Sequence, residues 1–513
     1  MNIVSVHQIQ AIEKAADESG FSYQKMMETA GQGVAAWIYE NFPVIGSVVG
    51  LVGSGNNGGD TLVALTRLSA WGLRTIAFIA KQRESDDLTE SYIGAGGSLV
   101  DISYGENLGY LEAALLPGTI VLDGILGTGL KLPLRGSLKT IMGRVSPLLD
   151  NRFGVRLVAV DCPSGVDCDT GEASEETFAA QDTLSMAAIK QGLLMHPARE
   201  KAGEIHLIDI GIGEISDYVS QTLPEMITRE TVKSFFPDRP AASHKGTFGT
   251  CCVIAGTPSY TGAAYLTGKA AYRAGCGLVH IATLGSVQQS LAGHLAEAVW
   301  SVLPDNNGYY EVKDIEILKG VISNVDSLVI GPGWGLAESN KAFLGVLLDI
   351  IPENLPTIFD ADGLKLLRRI PQWWRLLPEQ SILTPHPGEM SVITDLEISE
   401  IQSNRWEIAK EYAGRWGVSL VLKGAETVVA DENGKIWVNP ISEPALATAG
   451  SGDVLSGLIG GLLAQGVASH KAAVVSVWLH GQAGILAKKK LGTDISVTAV
   501  DILNSIAESF SLV

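Results

Sequence analysis

The sequence predicts an α/β protein with two domains, in each of which helices cover a largely parallel sheet. The chain has 513 residues, whereas a single hydrophobic core rarely serves more than about 300. Short, almost continuously apolar segments alternate with helical patterns, as in sheets that are buried on both faces. Many of the 58 glycines stand where a predicted strand gives way to a helix, which is where α/β proteins bind ligands.

The composition argues against several classes of function. The formal net charge is −19, from 56 acidic and 37 basic residues, and there is no long basic run. A general affinity for nucleic acid or anionic membranes is therefore not expected, and a phosphate-bearing ligand must be held by backbone N–H groups and a few lysines. The N-terminal segment lacks the features of a secretion signal, and no apolar run has spanning length, so we expect a cytoplasmic protein. The five cysteines are too few and too irregularly spaced for a disulfide framework or a zinc site.

The first domain begins with two helical patterns in residues 5–40. The second pattern, residues 23–39, places an apolar stripe on one face, made of Met26, Met27, Ala30, Val34 and Trp37. Such a stripe is typical of core packing rather than of a cofactor site. Strands are predicted at 47–52, 74–80, 119–123 and 156–160, with a helix through Ala70 after the first strand.

Three of these strands end in polar loops. A glycine-rich loop with Asn57 follows the first strand, Asp123 ends the third, and Asp161 ends the fourth, shortly before Ser164. The carboxyl ends of parallel strands meet at one edge of a sheet, so we expect these loops to share a crevice. Asn57, Asp123 and Ser164 offer hard oxygen ligands for a monovalent or divalent cation. A simple tight turn for the glycine-rich loop, and helix capping for Asp161, are the alternatives.

The domain boundary is expected near residue 220, giving domains 1–220 and 221–513. Apolar periodicity lapses between about 211 and 245, where prolines are frequent and Thr228 marks a helix start. A second α/β series follows, with strands predicted at 250–255, 278–282, 327–330, 357–359, 381–383 and 418–422. A hairpin is predicted over 428–438, and helices over 264–274 and from Val454 to Leu463.

The segment from Gly450 to Asp453 carries the clearest chemistry of the second domain. Small residues run directly into a helix, whose free N–H groups and dipole favour an anion in front of them. Asp453 places a carboxylate at that point, where an anion is favoured, although it could serve merely as a helix cap. Lys423 and Gly424 follow a strand and could hold a phosphate. His386, between two prolines, is expected on a loop rather than in the core.

The loop Gly331–Gly335 (GPGWG) allows close approach of the backbone to a flat ligand. For Trp334 itself, packing within a surface loop is an equally good interpretation.

In this order, the motifs resemble those of the bifunctional NAD(P)H-hydrate repair enzymes, in which an epimerase domain is fused to an ADP- or ATP-dependent dehydratase domain. The resemblance covers almost the whole chain. In the first domain it rests on GSGNNGGD at 53–60, DGILGTG at 123–129, DCPSGVD at 161–167 and DTG at 169–171. In the second it rests on HKG at 244–246, SYTGA at 259–263, GPGWG, DAD at 360–362, LTPHPGE at 383–389, KG at 423–424 and GSGDVL at 450–455.

For the first domain the resemblance implies a Rossmann-like, three-layer fold that interconverts the R and S epimers of hydrated NADH and NADPH. Asp161 would be the acid–base residue, and potassium would bind at Asn57, Asp123 and Ser164. The residues implied for hydrate binding, besides Asp161, are Asn56, Asn57, Gly58, Gly59, Asp60, Gly127, Thr128, Gly129, Leu130, Lys131, Leu132 and Pro133.

For the second domain it implies a ribokinase-like α/β fold that phosphorylates the ring hydroxyl of the S epimer, so that phosphate leaves. Asp453 would be the base, and N–H groups of Gly450–Gly452 would stabilise the phosphoryl group. The nucleotide, ADP or ATP, would bind with Mg²⁺ to Lys423, Gly424, Ala425, Glu426, Thr427 and Gly452, with ADP giving AMP and phosphate. The hydrate would contact Ala263, Gly333 and His386. A homo-oligomer is expected.

The chain departs from the family pattern in three places, which bear on local loop shape. Thr61 stands where glycine is common, residues 443–449 lack the usual glycine-rich segment, and the turn around Lys190 lacks its usual aromatic and proline neighbours. The alternative function is a ribokinase-like small-molecule kinase with an N-terminal ligand-binding or scaffolding domain. That alternative leaves Asn57, Asp123 and Asp161 without a use.

Overall fold

The computed structural model describes residues 1–83, 86–150, 152–219 and 222–513. It divides into two compact units, Met1–Leu223 and Pro224–Val513. The boundary predicted at residues 220 and 221 lies outside the described residues. In the described part of the chain, no helix combines the length and apolar character of a membrane span.

Unit 1 contains nine strands and seven α-helices within its described residues. The strands are β1 (Ile3–Val4), β2 (Ser47–Val52), β3 (Thr75–Ile79), β4 (Ser98–Asp101), β5 (Thr119–Gly124), β6 (Arg156–Val160), β7 (Asp182–Met186), β8 (Ile189–Lys190) and β9 (Glu204–Ile208). The helices are α1 (Val6–Glu18), α2 (Tyr23–Asn41), α3 (Asn56–Ala70), α4 (Asp87–Gly94), α5 (Leu108–Ala114), α6 (Gly136–Leu149) and α7 (Ala198–Ala202).

Seven of these strands form one parallel sheet in the order β4-β3-β2-β5-β6-β7-β9, and β1 pairs with β8 in a separate ribbon. Strand β2 alternates its side chains, so Val48 and Val52 join the core under α1–α3, whereas Val49 and Leu51 join the core under α5 and α6. The sheet is thus covered on both faces, and the predicted α/β class is confirmed. The strand order reverses between β2 and β5, which is where such sheets form a crevice.

Unit 2 contains ten strands and twelve α-helices. The strands are β10 (Glu225–Met226), β11 (Thr250–Ile254), β12 (Leu278–Leu284), β13 (Val299–Leu303), β14 (Ser327–Ile330), β15 (Thr357–Phe359), β16 (Ser381–Leu383), β17 (Ser419–Leu422), β18 (Val428–Ala430) and β19 (Ile436–Val438). The helices are α8 (Arg229–Phe235), α9 (Thr261–Arg273), α10 (Gly285–Leu291), α11 (Ile315–Ile322), α12 (Glu338–Leu348), α13 (Asp362–Leu367), α14 (Pro387–Thr394), α15 (Ile398–Ser403), α16 (Arg405–Trp416), α17 (Ser451–Ala464), α18 (Ser469–Leu491) and α19 (Ala499–Ser509).

The ten strands form one sheet in the order β10-β19-β18-β17-β16-β15-β14-β11-β12-β13. Only β18 runs antiparallel to its neighbours, because it is the first strand of the predicted hairpin. The remaining pairs are parallel.

Three glycines hold α17 close to its neighbours. A Cβ on Gly457 would lie 2.2 Å from the carbonyl oxygen of Thr267 on α9, and one on Gly461 would lie 2.5 Å from that of Ala271. On Gly460 it would lie 2.6 Å from Val329 of the sheet. Glycine weakens a helix interior by about 1 kcal/mol per residue, so these positions indicate that close packing offsets the loss. The packing fixes where the helix N-terminus lies.

Two candidate active sites

A cavity of about 1040 Å³ lies in unit 1 at the carboxyl ends of β2, β5 and β6. Eight of the residues predicted for hydrate binding line it: Asn56, Asn57, Asp60, Gly127, Thr128, Gly129, Leu130 and Asp161. Gly58, Gly59, Lys131, Leu132 and Pro133 are not among its lining residues.

The two glycines serve packing instead of forming the cavity wall. A Cβ on Gly58 would lie 2.1 Å from the carbonyl oxygen of Gly53, and one on Gly59 would lie 2.7 Å from Sδ of Met27. Helix α3 begins at Asn56, so the predicted loop is largely the first turn of this helix. The expectation for the α2 stripe is correct for Val34, which is fully buried. It is incomplete for Met26, Met27 and Ala30, which also line the cavity.

The predicted cation ligands come together beside this cavity. Asn57 Nδ2 donates to the carbonyl oxygen of Leu126 at 2.7 Å, and the buried Oδ1 of Asn57 accepts no hydrogen bond from the described residues. The carboxylate of Asp123 accepts from Ser164 N at 2.8 Å and from Ser164 Oγ at 2.5 Å. Burial raises the pKa of Asp123 to about 6 despite these bonds. An unused buried oxygen and an uncompensated buried carboxyl together fit a bound cation.

Asp161 is held by a lysine that our sequence analysis did not place in the site. Asp161 has a left-handed backbone (φ 65°), and its Oδ1 accepts from Met186 N at 3.0 Å and from Lys190 Nζ. Lys190 Nζ also donates to the carbonyl oxygen of Met186 at 2.8 Å, and its side chain is 1% exposed. Burial alone would lower the pKa of Lys190, but the charge of Asp161 raises it above its usual value. A charged ammonium therefore fixes one carboxylate oxygen, while the Asp161 side chain still lines the cavity.

Four further carboxyl residues line the same cavity, and two of them, Glu13 on α1 and Asp60 on α3, have raised pKa values. Burial raises the pKa of Glu13, and burial with the charge of Asp161 raises that of Asp60 well above its usual value. The site thus combines an ion-paired carboxylate with two carboxyls that favour the protonated form, an arrangement suited to moving protons. Glu13 gave no signal in the sequence, because a single acidic residue on an amphipathic helix is common.

Thr61 shapes the floor of this site. It is fully buried, and its Oγ1 donates to the carbonyl oxygen of Asn57 at 2.8 Å. A Cβ on Gly124 would lie 1.9 Å from that hydroxyl oxygen. The departure from the family pattern is therefore accommodated by a glycine on the neighbouring strand.

A second cavity, of about 610 Å³, lies in unit 2 in front of α17. Its lining includes the predicted residues His386, Lys423, Gly424, Ala425, Thr427, Gly452 and Asp453. Glu426, Ala263 and Gly333 are not among its lining residues. Ala263 and Gly333 do lie together, because a Cβ on Gly333 would lie 2.7 Å from that of Ala263.

Helix α17 begins at Ser451, three residues before the predicted start, after Gly450 in the left-handed conformation (φ 87°). Ser451 N–H donates to the carbonyl oxygen of Thr448 at 3.2 Å. The expectation that this N–H group faces an anion is therefore wrong, since it is already used. Within the described chain, the N–H groups of Gly452 and Asp453 have no acceptor and remain available to an anion.

The carboxyl group of Asp453 makes no hydrogen bond with the described residues. Burial, with the neighbouring charge of Asp360, raises the pKa of Asp453 to about 7, and Lys423 acts in the opposite direction. A helix cap would accept bonds from backbone N–H groups, which Asp453 does not do. The geometry thus favours the acid–base interpretation over the capping one.

Lys423 is bound within a network of charges. Its Nζ lies 2.8 Å from Asp360 Oδ1 and 3.7 Å from Glu389 Oε2. Asp360 also accepts from Thr384 Oγ1 and from Ser456 Oγ, each at 2.7 Å. Burial alone would raise the pKa of Asp360, but Lys423 brings it below its usual value. A Cβ on Gly452 would lie 3.3 Å from Lys423 Nζ, so the ammonium lies beside the first turn of α17, although two carboxylates compensate much of its charge.

His386 and Trp334 have different outcomes. His386 caps α14, its Nδ1 accepting from Gly388 N at 3.0 Å, and its exposed side chain lines the cavity. The prediction that His386 lies outside the core is therefore confirmed. Trp334 is fully buried and donates Nε1–H to the carbonyl oxygen of Ile254 at 2.8 Å. Surface-loop packing of Trp334 is therefore wrong, because its ring packs in the core against Tyr310 and Phe343. Close approach of the loop backbone to a flat ligand stays a prediction.

Comparison with known proteins agrees with this division of the chain. Residues 251–508 match the family model described as NAD(P)H-hydrate dehydratase, and residues 23–192 match that described as YjeF-related protein N-terminus. The bifunctional NAD(P)H-hydrate repair enzyme Nnr of Moorella thermoacetica is 34% identical over 91% of this chain and 88% of its own length. That of Escherichia coli is 30% identical over 96% and 90%.

A solved structure of an ADP/ATP-dependent NAD(P)H-hydrate dehydratase from Bacillus subtilis, co-crystallised with ATP/Mg²⁺, is 30% identical. It covers 57% of this chain and 99% of its own, with a TM-score of 0.49. The matches to relatives span both units, and the dehydratase family model alone covers half of the residues. The chain therefore belongs to the family of bifunctional NAD(P)H-hydrate repair enzymes.

Proposed function

We propose that this chain restores hydrated NADH and NADPH to the working cofactors in two steps. Unit 1 interconverts the R and S epimers of the hydrate, and unit 2 uses an adenine nucleotide to dehydrate the S epimer. The observation that carries the proposal is the first turn of α17, where two free N–H groups lie beside the unbonded carboxyl of Asp453. Donors that stabilise the transferring phosphoryl group and a group that accepts the hydroxyl proton both help to turn a hydroxyl into a leaving group.

In unit 2, Asp453 takes the proton of the ring hydroxyl as its oxygen attacks the terminal phosphoryl group of the nucleotide. The N–H groups of Gly452 and Asp453 stabilise the negative charge that spreads over the phosphoryl oxygens. The phosphorylated ring then expels phosphate as the C–O bond breaks, and loss of a ring proton restores the double bond. With ADP as the donor, the products are AMP, phosphate and NAD(P)H.

Mg²⁺ fits this site as a companion of the nucleotide. Asp453 lines the cavity, and Glu389 lies 3.7 Å from Lys423, another lining residue. Oxygen atoms such as those of these carboxyl groups are the ligands that Mg²⁺ prefers. When bound, Mg²⁺ neutralises charge on the phosphate oxygens. Because Lys423 already pairs with Asp360 and Glu389, the chain contributes few free charges of its own, so most ligands of the ion would come from the nucleotide.

In unit 1, the reacting carbon carries the hydroxyl and adjoins the ring nitrogen. To exchange configuration, this carbon must break its bond to the hydroxyl oxygen or to the ring nitrogen and form it again on the opposite face of the ring. An acid–base residue must donate a proton in one of these steps and accept one in the other. Asp161 serves as the acid–base residue, its orientation fixed by Lys190 and Met186 N. Asn56, Asp60 and Gly127–Leu130, which line the cavity with Asp161, are proposed to bind the hydrate.

A monovalent cation, proposed to be potassium, would be held by Asn57 Oδ1, Asp123 and Ser164. The unpartnered Oδ1 of Asn57 supports this assignment. When bound, the ion would compensate the charge of Asp123 and keep the loops bearing Ser164 and Leu126 in place, since both already bond to these ligands.

The test is to incubate the protein with a mixture of R and S hydrated NADH and with ADP, ATP or no nucleotide. We expect NADH absorbance to recover only with a nucleotide, with release of inorganic phosphate and consumption of both epimers. Asp453→Asn is the matched control and should give no recovery. A stable phosphorylated product would instead indicate a small-molecule kinase, and binding without epimer exchange would reduce unit 1 to a scaffold.

A further inference from the structure

A histidine and a serine lie in contact at the end of the unit 2 cavity. His480 Nε2 on α18 lies 3.0 Å from Ser451 Oγ in the first turn of α17. Both residues line the cavity, and both are buried, with 8% and 5% exposure respectively. Asp453 lies two residues further along the same turn, so this pair borders the position at which phosphoryl transfer is proposed.

The imidazole of His480 is neutral. Burial lowers the pKa of His480 to about 4; a hydrogen bond with the backbone of Ser451 opposes this shift, and the nearby charge of Lys423 adds to it. A neutral imidazole carries a single N–H group, on either Nδ1 or Nε2. If Nε2 carries it, His480 donates to Ser451 Oγ, and the hydroxyl hydrogen of Ser451 is left for another acceptor. If Nδ1 carries it, the hydroxyl donates to His480 and has nothing to give to a ligand.

The hydroxyl is the group by which Ser451 could contact an anion. Its N–H is already bonded to the carbonyl oxygen of Thr448 at 3.2 Å. The neighbouring N–H groups of Gly452 and Asp453 have no acceptor among the described residues, so they too can donate hydrogen bonds to an anion. A third donor at this turn would complete a set that can contact several oxygens of one phosphoryl group.

Resting on the function proposed above, we propose that Ser451 donates a hydrogen bond to the transferring phosphoryl group and that His480 is the positioning residue that fixes this hydroxyl. His480 acts as the Nε2–H tautomer. A purely structural histidine would be expected to act through the packing of α18 against α17, which an apolar side chain of similar size could also provide. A loss of activity in a variant with an apolar side chain at position 480 would therefore indicate the hydrogen bond rather than the packing.

The first test measures dehydration of S hydrate at saturating nucleotide. Ser451→Ala and His480→Leu should each lower kcat about 10- to 100-fold, since removing one donor to a developing oxyanion has effects of about this size or larger. The KM for the nucleotide should change less than about threefold. The double variant should be no slower than the slower single variant, because both remove the same interaction. His480→Gln, whose amide retains an N–H donor, should recover part of the loss.

Circular dichroism and urea unfolding of the same variants are the control for folding, because Ser451 and His480 belong to unit 2. A Ser451→Ala rate within twofold of the parent, or additive losses in the double variant, would overturn the proposal. Nitrogen NMR of the full-length protein with labelled histidine gives a second measurement, and a proton on Nδ1 of His480 would also overturn it. If the parent forms a stable phosphorylated product, the dehydratase proposal fails, while the same variants still test the donor through the rate of phosphoryl transfer.

Discussion

Each unit contains a buried lysine paired with an aspartate at the end of a parallel strand, but the two pairs differ in which carboxylate they hold. In unit 1, Lys190 pairs with Asp161, which is itself the proposed acid–base residue. In unit 2, Lys423 pairs with Asp360, and the proposed base, Asp453, has no counter-ion bonded to it. The pKa of Asp453 accordingly rises to about 7.

The difference suggests how one kind of ion pair serves two reactions. A pair made directly with the acting carboxylate fixes its orientation. A pair made with a neighbouring carboxylate, as between Lys423 and Asp360, holds the surrounding side chains in place. The acting carboxyl then keeps the raised pKa that burial gives it. A base with a pKa near the working pH can accept a proton in one step and release it in the next.

The largest effect is expected for Asp453→Asn, which removes the base of unit 2. Nucleotide-dependent recovery of NADH should fall by about 10² to 10⁴-fold, the usual contribution of a positioned base. Nucleotide binding, measured by calorimetry, should persist because the N–H groups of α17 remain. Epimerisation in the same sample is the internal control, and near-parental dehydration would remove Asp453 from the mechanism.

Asp161→Ala should leave R hydrate unconsumed while S hydrate disappears at the parental rate. The reason is that only one configuration presents its hydroxyl to both Asp453 and the phosphoryl group, and misplacement by about 1 Å can cost about a hundredfold in rate. Chromatographic separation of the epimers during the reaction measures this. Equal clearance of both epimers beyond the slow uncatalysed exchange would contradict the role given to unit 1.

Lys190→Met breaks the unit 1 pair and should lower the free energy of unfolding by about 3–5 kcal/mol, the usual cost of leaving one buried charge unpaired. Epimerisation should fall as well. Lys139→Met is the matched control, because the exposed side chain of Lys139 pairs with Glu176 at 3.4 Å, and an ion pair at the surface contributes at most about 1 kcal/mol. Urea unfolding of both variants gives the comparison, and equal losses would argue against a structural role for the buried pair.

Dehydration should depend on pH through Asp453. The base must be ionised to act, so kcat should rise with pH up to about 7, the raised pKa of Asp453, and level off above it. At lower pH the rate should fall about tenfold per unit. Lys423→Met should move the midpoint upward, since Lys423 lowers the pKa of Asp453. A midpoint that stays in place in this variant would break the proposed link between the ammonium and the base.

The smallest effect is expected from separating the units between Leu223 and Pro224. Each unit has its own sheet and its own cavity. The two fragments should therefore fold, and a mixture of them should repair both epimers at rates within a few fold of the intact chain. Circular dichroism and ANS binding test the folding, and molten or aggregated fragments would show that the units depend on each other.

Much of both sites was open to prediction because chemistry-bearing loops follow apolar strands. Asn57, Asp123 and Ser164 were grouped correctly since parallel strands end at one edge. The strands β4, β7, β9 and β13 were missed, because they mix polar and apolar residues at or near the sheet margins.

Partners distant in sequence gave no comparable signal. Lys190 contacts Asp161 across 29 positions, and His480 stands in a helix whose apolar pattern hides it. Gly58 and Gly59 were predicted to bind the ligand because the sequence does not distinguish a glycine that faces a ligand from one that packs against the backbone or a side chain of the protein. These distinctions depend on tertiary packing, which periodicity does not report.

The contact between Thr61 and Gly124 constrains how this site can change in descent. The hydroxyl oxygen of Thr61 lies where a Cβ on residue 124 would be, 1.9 Å away. Gly124→Ala should therefore be tolerated better in a chain that has already lost the threonine, because Thr61→Gly removes the nearest atoms and leaves the carbonyl oxygen of Asn57 at 3.0 Å. The order in which the two positions of this chain are changed should then decide whether the intermediate variant folds, and the stability of Gly124→Ala with and without Thr61→Gly would show it.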